Sequence, residues 1–187
     1  IPGLELCNGY DDDCDGLVDE DINETITISA GGATTFCQGS NVVLSATYSG
    51  TSLQWKKNGL IIPGATAASY TANATGNYAC ATYSDCDTTT SSEIVVTVNK
   101  NPKASVIAGG PTTFCAGGSV TLTETPVGGA TYQWFKGGAA IAGATTNTYV
   151  ATTSGNYKCR VTKTATGCSK TSNTIAVLVT CKEGNNA

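Results

Sequence analysis

The sequence predicts an all-β protein made of two copies of one β-sandwich, preceded by a short acidic loop. Three observations predict this architecture. A stretch of about 75–80 residues occurs twice, and each copy divides into short strand-like runs separated by turn residues. Each copy also has a single tryptophan in the middle of one such run.

The internal repeat defines the domain organisation. Residues Gly31–Cys37 return as Gly109–Cys115 at an offset of 78, and Trp55 returns as Trp134 at an offset of 79. Two copies of one domain are the economical explanation. The predicted divisions are an acidic motif at 1–22, a first sandwich at 23–100, a second sandwich at 101–181 and a tail at 182–187.

Each copy contains six runs rich in Val, Ile, Thr and Tyr, bounded by Gly, Asn or Ser. The predicted strands of the first copy are Thr25–Ala30, Asn41–Tyr48, Ser52–Asn58, Ser69–Ala72, Asn77–Tyr83 and Glu93–Asn99. Those of the second copy are Ala104–Ala108, Ser119–Thr125, Thr131–Lys136, Asn147–Ala151, Asn156–Thr162 and Thr174–Thr180. Six or seven short strands at this spacing are typical of a β-sandwich.

Each copy resembles the immunoglobulin fold. Trp55 and Trp134 stand where the tryptophan of strand C belongs, and both copies have Gly-Asn-Tyr-x-Cys, the pattern of a tyrosine corner before strand F. The strand-B cysteine is missing, because its place falls near Ala46 and Glu124. The segments that contain Thr-Phe-Cys and the tryptophan are similar to the Ig-like repeats of bacterial surface proteins, adhesins especially.

This resemblance implies one disulfide in each sandwich. In such repeats the early cysteine commonly pairs with one after strand F, which favours Cys37–Cys86 and Cys115–Cys168 and leaves Cys80 and Cys159 as buried thiols. The alternative is Cys37–Cys80 with Cys115–Cys159, since sequence alone does not fix connectivity. Cys181 follows the last strand and is a candidate for an intermolecular bridge or for pairing within its own domain.

The acidic segment, residues 5–21, carries eight carboxylates and no basic side chain, whereas residues 22–187 have six acids and ten Lys or Arg. Within it, alternating aspartates and a following glycine match the first half of an EF-hand-like calcium loop. Position 12 of that loop is Ile22, so later acids or water must complete the ligand shell. The predicted calcium ligands are Asp11, Asp13, Asp15, the Leu17 carbonyl, Asp19 and Glu20.

A short disulfide between Cys7 and Cys14 is predicted to hold this loop, because only ten residues precede Asp11 and no entering helix fits. Oxygen donors favour Ca²⁺, with Mg²⁺ or Mn²⁺ weaker, and the absence of His and Met argues against copper and zinc. The segment resembles a metal-binding motif of large secreted bacterial surface proteins and is similar to thrombospondin type-3 calcium repeats. The resemblance implies an extracellular location and calcium.

The composition narrows the partners and the compartment. No apolar run is long enough to span a bilayer, and a net charge of −4 gives no reason to expect nucleic acid. The nine cysteines, without CxxC pairs, predict disulfides and an oxidising compartment. The chain begins at Ile1, so we expect secretion to the bacterial cell surface after removal of a signal peptide. Candidate glycosylation sites are Asn23 and Asn73, both in sequons, and Thr88, in a triplet that resembles an O-mannose acceptor.

Without histidine, every catalytic arrangement that uses it is excluded, and the tryptophans are expected in the core rather than in a sugar-binding face. We therefore expect a non-enzymatic structural or adhesive protein, a subunit or segment of a cell-surface fibre stabilised by calcium and disulfides. Its expected partners are further copies, head to tail, or other surface proteins and glycans. The alternative is a carbohydrate- or protein-binding accessory module of a larger secreted enzyme.

Overall fold

The computed structural model describes residues 9–10, 24–83 and 88–181, with only the backbone of Cys181. The chain forms two compact units, unit 1 (Ile1–Val98) and unit 2 (Asn99–Ala187). Every named secondary-structure element of the described residues is a β-strand. None of these residues forms a helix long and apolar enough to cross a membrane.

Within the described residues, each unit has nine strands in the same order. Those of unit 1 are β1 (Ile26–Ala30), β2 (Thr35–Cys37), β3 (Val42–Tyr48), β4 (Ser52–Lys57), β5 (Leu60–Ile61), β6 (Ser69–Ala72), β7 (Gly76–Tyr83), β8 (Thr88–Thr90) and β9 (Ile94–Asn99). Those of unit 2 are β10 (Val106–Ala108), β11 (Thr113–Cys115), β12 (Val120–Glu124), β13 (Ala130–Lys136), β14 (Ala139–Ala140), β15 (Thr148–Ala151), β16 (Gly155–Lys163), β17 (Ser169–Thr171) and β18 (Ile175–Cys181).

The strands of each unit form two sheets that pack into an Ig-like sandwich, which confirms the predicted fold class. In unit 1 the small sheet has the order β1-β3-β6, and the large sheet has the order β2-β9-β7-β4-β5 with β8 on β7. In unit 2 the orders are β10-β12-β15 and β11-β18-β16-β13-β14, with β17 on β16. Strand β11 runs parallel to β18, whereas β16 is antiparallel to β13, β17 and β18.

All twelve predicted strands are present, and the structure adds three short strands to each unit. The additions have only two or three residues each: β2, β5, β8, β11, β14 and β17. A run this short shows no periodicity, so it cannot be told from a turn in the sequence. The β4–β5 and β13–β14 turns are two-residue hairpins, Asn58-Gly59 and Gly137-Gly138, whose positive φ angles suit the twist of the paired strands.

The two tryptophans are the centres of the two cores, as predicted. Trp55 on β4 and Trp134 on β13 have no exposed surface. Each begins a row of three aromatic rings whose second and third members lie on other strands. The rows are Trp55–Tyr70–Tyr78, with centroids 5.9 and 5.8 Å apart, and Trp134–Tyr149–Tyr157, with centroids 5.7 and 5.6 Å apart.

The tyrosine corners predicted from Gly-Asn-Tyr-x-Cys are also present. The Tyr78 hydroxyl donates a hydrogen bond to the Ala74 carbonyl at 2.8 Å, and the Tyr157 hydroxyl donates to the Thr153 carbonyl at 2.9 Å. In both cases the acceptor lies four residues upstream, at the corner that leads into the strand. The repeat in sequence is thus a repeat in detailed packing.

Replacing either tryptophan by alanine should cost its unit about 3–5 kcal/mol, the usual range for deleting a large buried aromatic side chain. Leu60→Ala is the control, since Leu60 is 75% exposed and its change should stay within about 0.5 kcal/mol. Hydrogen exchange with mass spectrometry reports on each unit separately. Because the chain has only two tryptophans, strong quenching of native fluorescence by iodide would contradict their burial.

Candidate functional site

The predicted metal ligands lie outside the described residues. This applies to Asp11, Asp13, Asp15, Leu17, Asp19 and Glu20, and to the predicted Cys7–Cys14 bridge. Calcium binding by this segment therefore stays a prediction. Among the residues that the structure does describe, no three His, Cys, Asp or Glu side chains come together as a metal site.

The described cysteines fall into two groups. Cys37, Cys115 and Cys168 are disulfide-bonded, whereas Cys80 and Cys159 are buried free thiols. The thiols are those predicted, and the alternative pairing, which joined each of them to an early cysteine, is wrong. The predicted Cys37–Cys86 bridge stays a prediction, because Cys86 lies outside the described residues.

The predicted Cys115–Cys168 bridge is wrong, because the two residues lie at opposite ends of unit 2. Cys168 follows the β16–β17 turn, where its carbonyl accepts a hydrogen bond from the Lys163 N–H. Cys115 lies opposite Cys181 on β18, beyond the Gly155 end of β16. The length of β16 alone separates these ends by about 26 Å at ~3.3 Å per residue. A disulfide needs Cα atoms within about 7 Å.

Cys80 and Cys159 are held inside the cores opposite the tryptophans. Trp55 pairs with Cys80 and Trp134 with Cys159 across neighbouring strands. Burial raises the pKa of the Cys80 thiol, and it raises the pKa of the Cys159 thiol to about 11, with a further contribution from the nearby Glu124 charge. A thiol is reactive as its thiolate, so both are protected from oxidation and alkylation.

Glu124 on β12 occupies the place where a strand-B cysteine would face strand F, and it is fully buried. One carboxylate oxygen accepts a hydrogen bond from the Ser105 N–H at 2.5 Å, and the other has no hydrogen-bond partner among the described residues. Burial raises the pKa of this carboxyl group. In unit 1 the equivalent residue is Ala46, so the two cores differ at this point.

A surface cleft of about 420 Å³ lies on the outer face of the large sheet of unit 2. Successive residues of a strand point to opposite faces, so Tyr157, Cys159 and Val161 enter the core while the residues between them face outward. The lining combines the two glycines of the β13–β14 turn with six side chains: Phe135, Asn156, Lys158, Arg160, Thr171 and Thr174.

The cleft is cationic. The Arg160 guanidinium lies over the Phe135 ring, 4.9 Å from its centroid, and Lys158 is paired with Phe135 across the strands. Neither cation has an acidic partner in the described part of the chain, and no acidic residue lines the cleft. The sequence alone does not reveal this site, because the site depends on which residues face each other across strands. The alternation of Lys158 and Arg160 with buried residues was its only sequence signal.

The predicted glycosylation sites are accessible where the structure describes them. Asn73 is exposed just after β6, and Thr88 is exposed at the start of β8, whereas Asn23 lies outside the described residues. Exposure is necessary for modification but does not establish it. Glycosylation stays a prediction at all three positions.

The comparison with protein families identifies an immunoglobulin-like domain in unit 2. Residues 101–179 match the family described as "Immunoglobulin domain". No curated protein matches the chain.

The chain is similar to three solved structures at low identity. The first holds three N-terminal domains of the Highly Immunogenic Outer Capsid protein (Hoc) of bacteriophage RB49, with 18% identity, a TM-score of 0.40, and coverage of 84% of this chain and 59% of that chain. The second is the ligand-binding domain of human OSCAR, with 16% identity, a TM-score of 0.36, and coverage of 81% and 97%. The third is murine CEACAM1b, with 17% identity, a TM-score of 0.38, and coverage of 83% and 100%.

Iodoacetamide at pH 8 should leave Cys80 and Cys159 unmodified in the native protein. At that pH a thiol with a pKa of about 11 is ionised in about one molecule in a thousand, and both thiols are also buried. Peptide mass spectrometry after denaturation in a second, distinguishable alkylating agent locates the protected thiols. Rapid labelling of either cysteine in folded protein would contradict its placement.

Glu124→Gln should stabilise unit 2 increasingly as the pH rises. A carboxyl group whose pKa is raised by folding contributes most to stability below its unfolded pKa of about 4.3, and this contribution is lost as pH rises through the folded pKa. The difference between variant and wild type should therefore grow above about pH 4, by at most about 1.4 kcal/mol per pH unit.

Hydrogen exchange resolved by peptide measures this difference for each unit. Unit 1, with Ala46 at the equivalent place, is the internal control and should respond equally in both proteins. If unit 2 has the same stability in the variant and in wild type at every pH, Glu124 is not stabilised in its neutral form.

Proposed function

We propose that this chain is a non-enzymatic, extracellular structural or adhesive protein that forms a subunit or segment of a bacterial cell-surface fibre. Its two Ig-like units act as rigid, oxidised building blocks. The acidic segment binds calcium, and the copies associate head to tail, with other surface proteins or glycans as further partners. Secretion requires a signal peptide that is removed.

The observation that carries the proposal is the state of the cysteines. Of the cysteines whose side chains the structure describes, three are disulfide-bonded and two are free thiols enclosed in the cores. Disulfides form and persist in oxidising compartments, and a thiol that is both buried and protonated survives there without pairing. This combination suits a protein that works outside the cell.

The indole N–H groups and two serine hydroxyls of the cores are committed to structure. The indole N–H groups of Trp55 and Trp134 donate to the carbonyls of Ala67 and Thr146, both at 2.9 Å. The hydroxyls of Ser91 and Ser172 accept hydrogen bonds from the N–H groups of Cys80 and Cys159. Groups used in this way hold the sandwich together, which supports a structural rather than a catalytic role.

The surface cleft of unit 2 favours a second candidate, a carbohydrate- or protein-binding accessory module of a larger secreted enzyme. Such a module binds a ligand as a monomer and does not polymerise. Electron microscopy of native material separates the two: filaments support the fibre, and monodisperse particles that bind a glycan or protein support the module.

Calcium should bind with a stoichiometry of one to the acidic segment and should support assembly. In the intact protein, Asp13→Asn should weaken binding measured by calorimetry at least about tenfold, because it removes a carboxylate from the oxygen shell. Glu93→Gln is the control, since Glu93 is an exposed acid on unit 1.

Filaments should shorten or disappear in micrographs after addition of a chelator and return with calcium. Neither Asp13→Asn nor Glu93→Gln should change hydrogen exchange in the two sandwiches. Calorimetry that detects no binding of calcium tighter than about millimolar would reject the calcium assignment.

A further inference from the structure

We propose that the cationic cleft of unit 2 binds the acidic segment, residues 5–21, of a second copy of the chain. This inference rests on the proposed fibre, because it names the contact through which copies join.

The equivalent face of unit 1 differs at the residues that line the cleft in unit 2. Lys56, at the place of Phe135, donates a hydrogen bond to the Thr90 hydroxyl at 3.3 Å. Ala79 and Ala81 stand at the places of Lys158 and Arg160, and they are 7% and 0% exposed. The face therefore has one lysine, which is already bonded.

An acidic residue also distinguishes the two faces. In unit 1 the Asn77 amide donates to the Glu93 carboxylate at 2.8 Å. Asn156 corresponds to Asn77 at the repeat offset of 79. Thr174 corresponds to Glu93, because each follows by two residues the serine whose hydroxyl accepts a hydrogen bond from the backbone N–H of the core cysteine. At this place unit 2 has two cations where unit 1 has alanines, and a threonine where unit 1 has an acid.

The cleft is suited to carboxylates. Arg160 presents a planar guanidinium that can form paired hydrogen bonds to a carboxylate, and its stacking on Phe135 holds the plane in place. Lys158 supplies a second positive charge on the same face, and the hydroxyls of Thr171 and Thr174 add hydrogen-bonding groups at the rim. The space is large enough for more than one acidic side chain.

The chain itself supplies the complementary partner. Eight of its ten basic residues lie in 99–187 against two acids, one of which is the buried Glu124. Eight of its fourteen acids lie in residues 5–21, which have no basic residue. One bound Ca²⁺ would leave this segment six negative charges, so calcium binding and docking are compatible. A contact between two different surfaces of identical chains repeats without closing and produces a filament.

A fluorescently labelled peptide of residues 5–21 tests the cleft by fluorescence polarisation with the full-length protein. The double variant Lys158→Ala, Arg160→Ala gives unit 2 the alanines that unit 1 has at these positions. It should weaken binding of the peptide about tenfold, since two exposed charge-assisted contacts are lost. The double variant Lys100→Ala, Lys103→Ala removes the same charge from exposed residues outside the cleft and should bind like wild type.

Binding should weaken as salt is raised, because the contacts are exposed charges. Equal binding by wild type and both variants would overturn the proposal, and so would no binding by wild type. A polyuronate added as a competitor of the peptide tests whether the cleft binds an acidic glycan instead. Binding of the polyuronate that requires Lys158 and Arg160, without binding of the peptide, would also overturn it in favour of an acidic glycan.

A mixing experiment tests that the partner is a second copy. The cleft variant keeps its acidic segment, and a variant with Glu5→Gln, Asp12→Asn and Asp21→Asn keeps its cleft and its predicted calcium ligands. Neither should form filaments alone, and an equimolar mixture should give discrete pairs in analytical ultracentrifugation. A mixture that stays monomeric while wild type assembles would overturn docking between copies.

The two proposals fail in different ways. If the cleft variant forms filaments as wild type does, the docking contact is wrong and the fibre function stands. If native wild-type protein forms no filaments, the fibre is wrong. Peptide binding then still decides whether the cleft takes the acidic segment.

Discussion

The hydrogen bond of the buried indole is the constraint on which each sandwich depends. Trp55 and Trp134 lie on the large sheet, and their N–H groups donate to carbonyls just before β6 and β15 of the small sheet. The bond therefore joins the two sheets at the point where a strand-B to strand-F disulfide is missing. A buried N–H without a partner costs about 1–3 kcal/mol, so the loop before the small-sheet strand must keep its position.

The absence of that disulfide leaves a free position on strand B, which the two units fill differently. Ala46 leaves a small residue beside Cys80, whereas Glu124 places a carboxyl group with one unbonded oxygen near Cys159. A buried carboxyl is costly when charged. Unit 2 thus tolerates the unfavourable buried carboxyl of Glu124, because the aromatic row and the indole hydrogen bond hold the sheets together.

Much of the fold could be predicted from the sequence, and little of the surface site. The twelve predicted strands, the core tryptophans and the tyrosine corners follow from alternation and from the repeat, since both patterns reflect burial. The Cys115–Cys168 bridge failed because connectivity depends on which ends of the strands meet, and analogy does not supply that. The cleft was missed because residues from three parts of the chain form it, and none is unusual by itself.

The alternation of a strand explains how the two units can share a core and differ in surface. On β16 the inward residues are fixed by packing, whereas Lys158 and Arg160 between them can change without loss of the fold. The same positions on β7 are buried alanines, Ala79 and Ala81. The outward positions of these two strands therefore differ in charge between the units, and only unit 2 has cations there. In the described residues Lys158 and Arg160 have no acidic partner, and residues 5–21 have an excess of acids. The chain therefore has both a cationic surface and an anionic segment for a contact between copies. Identical copies can then supply each other's partner.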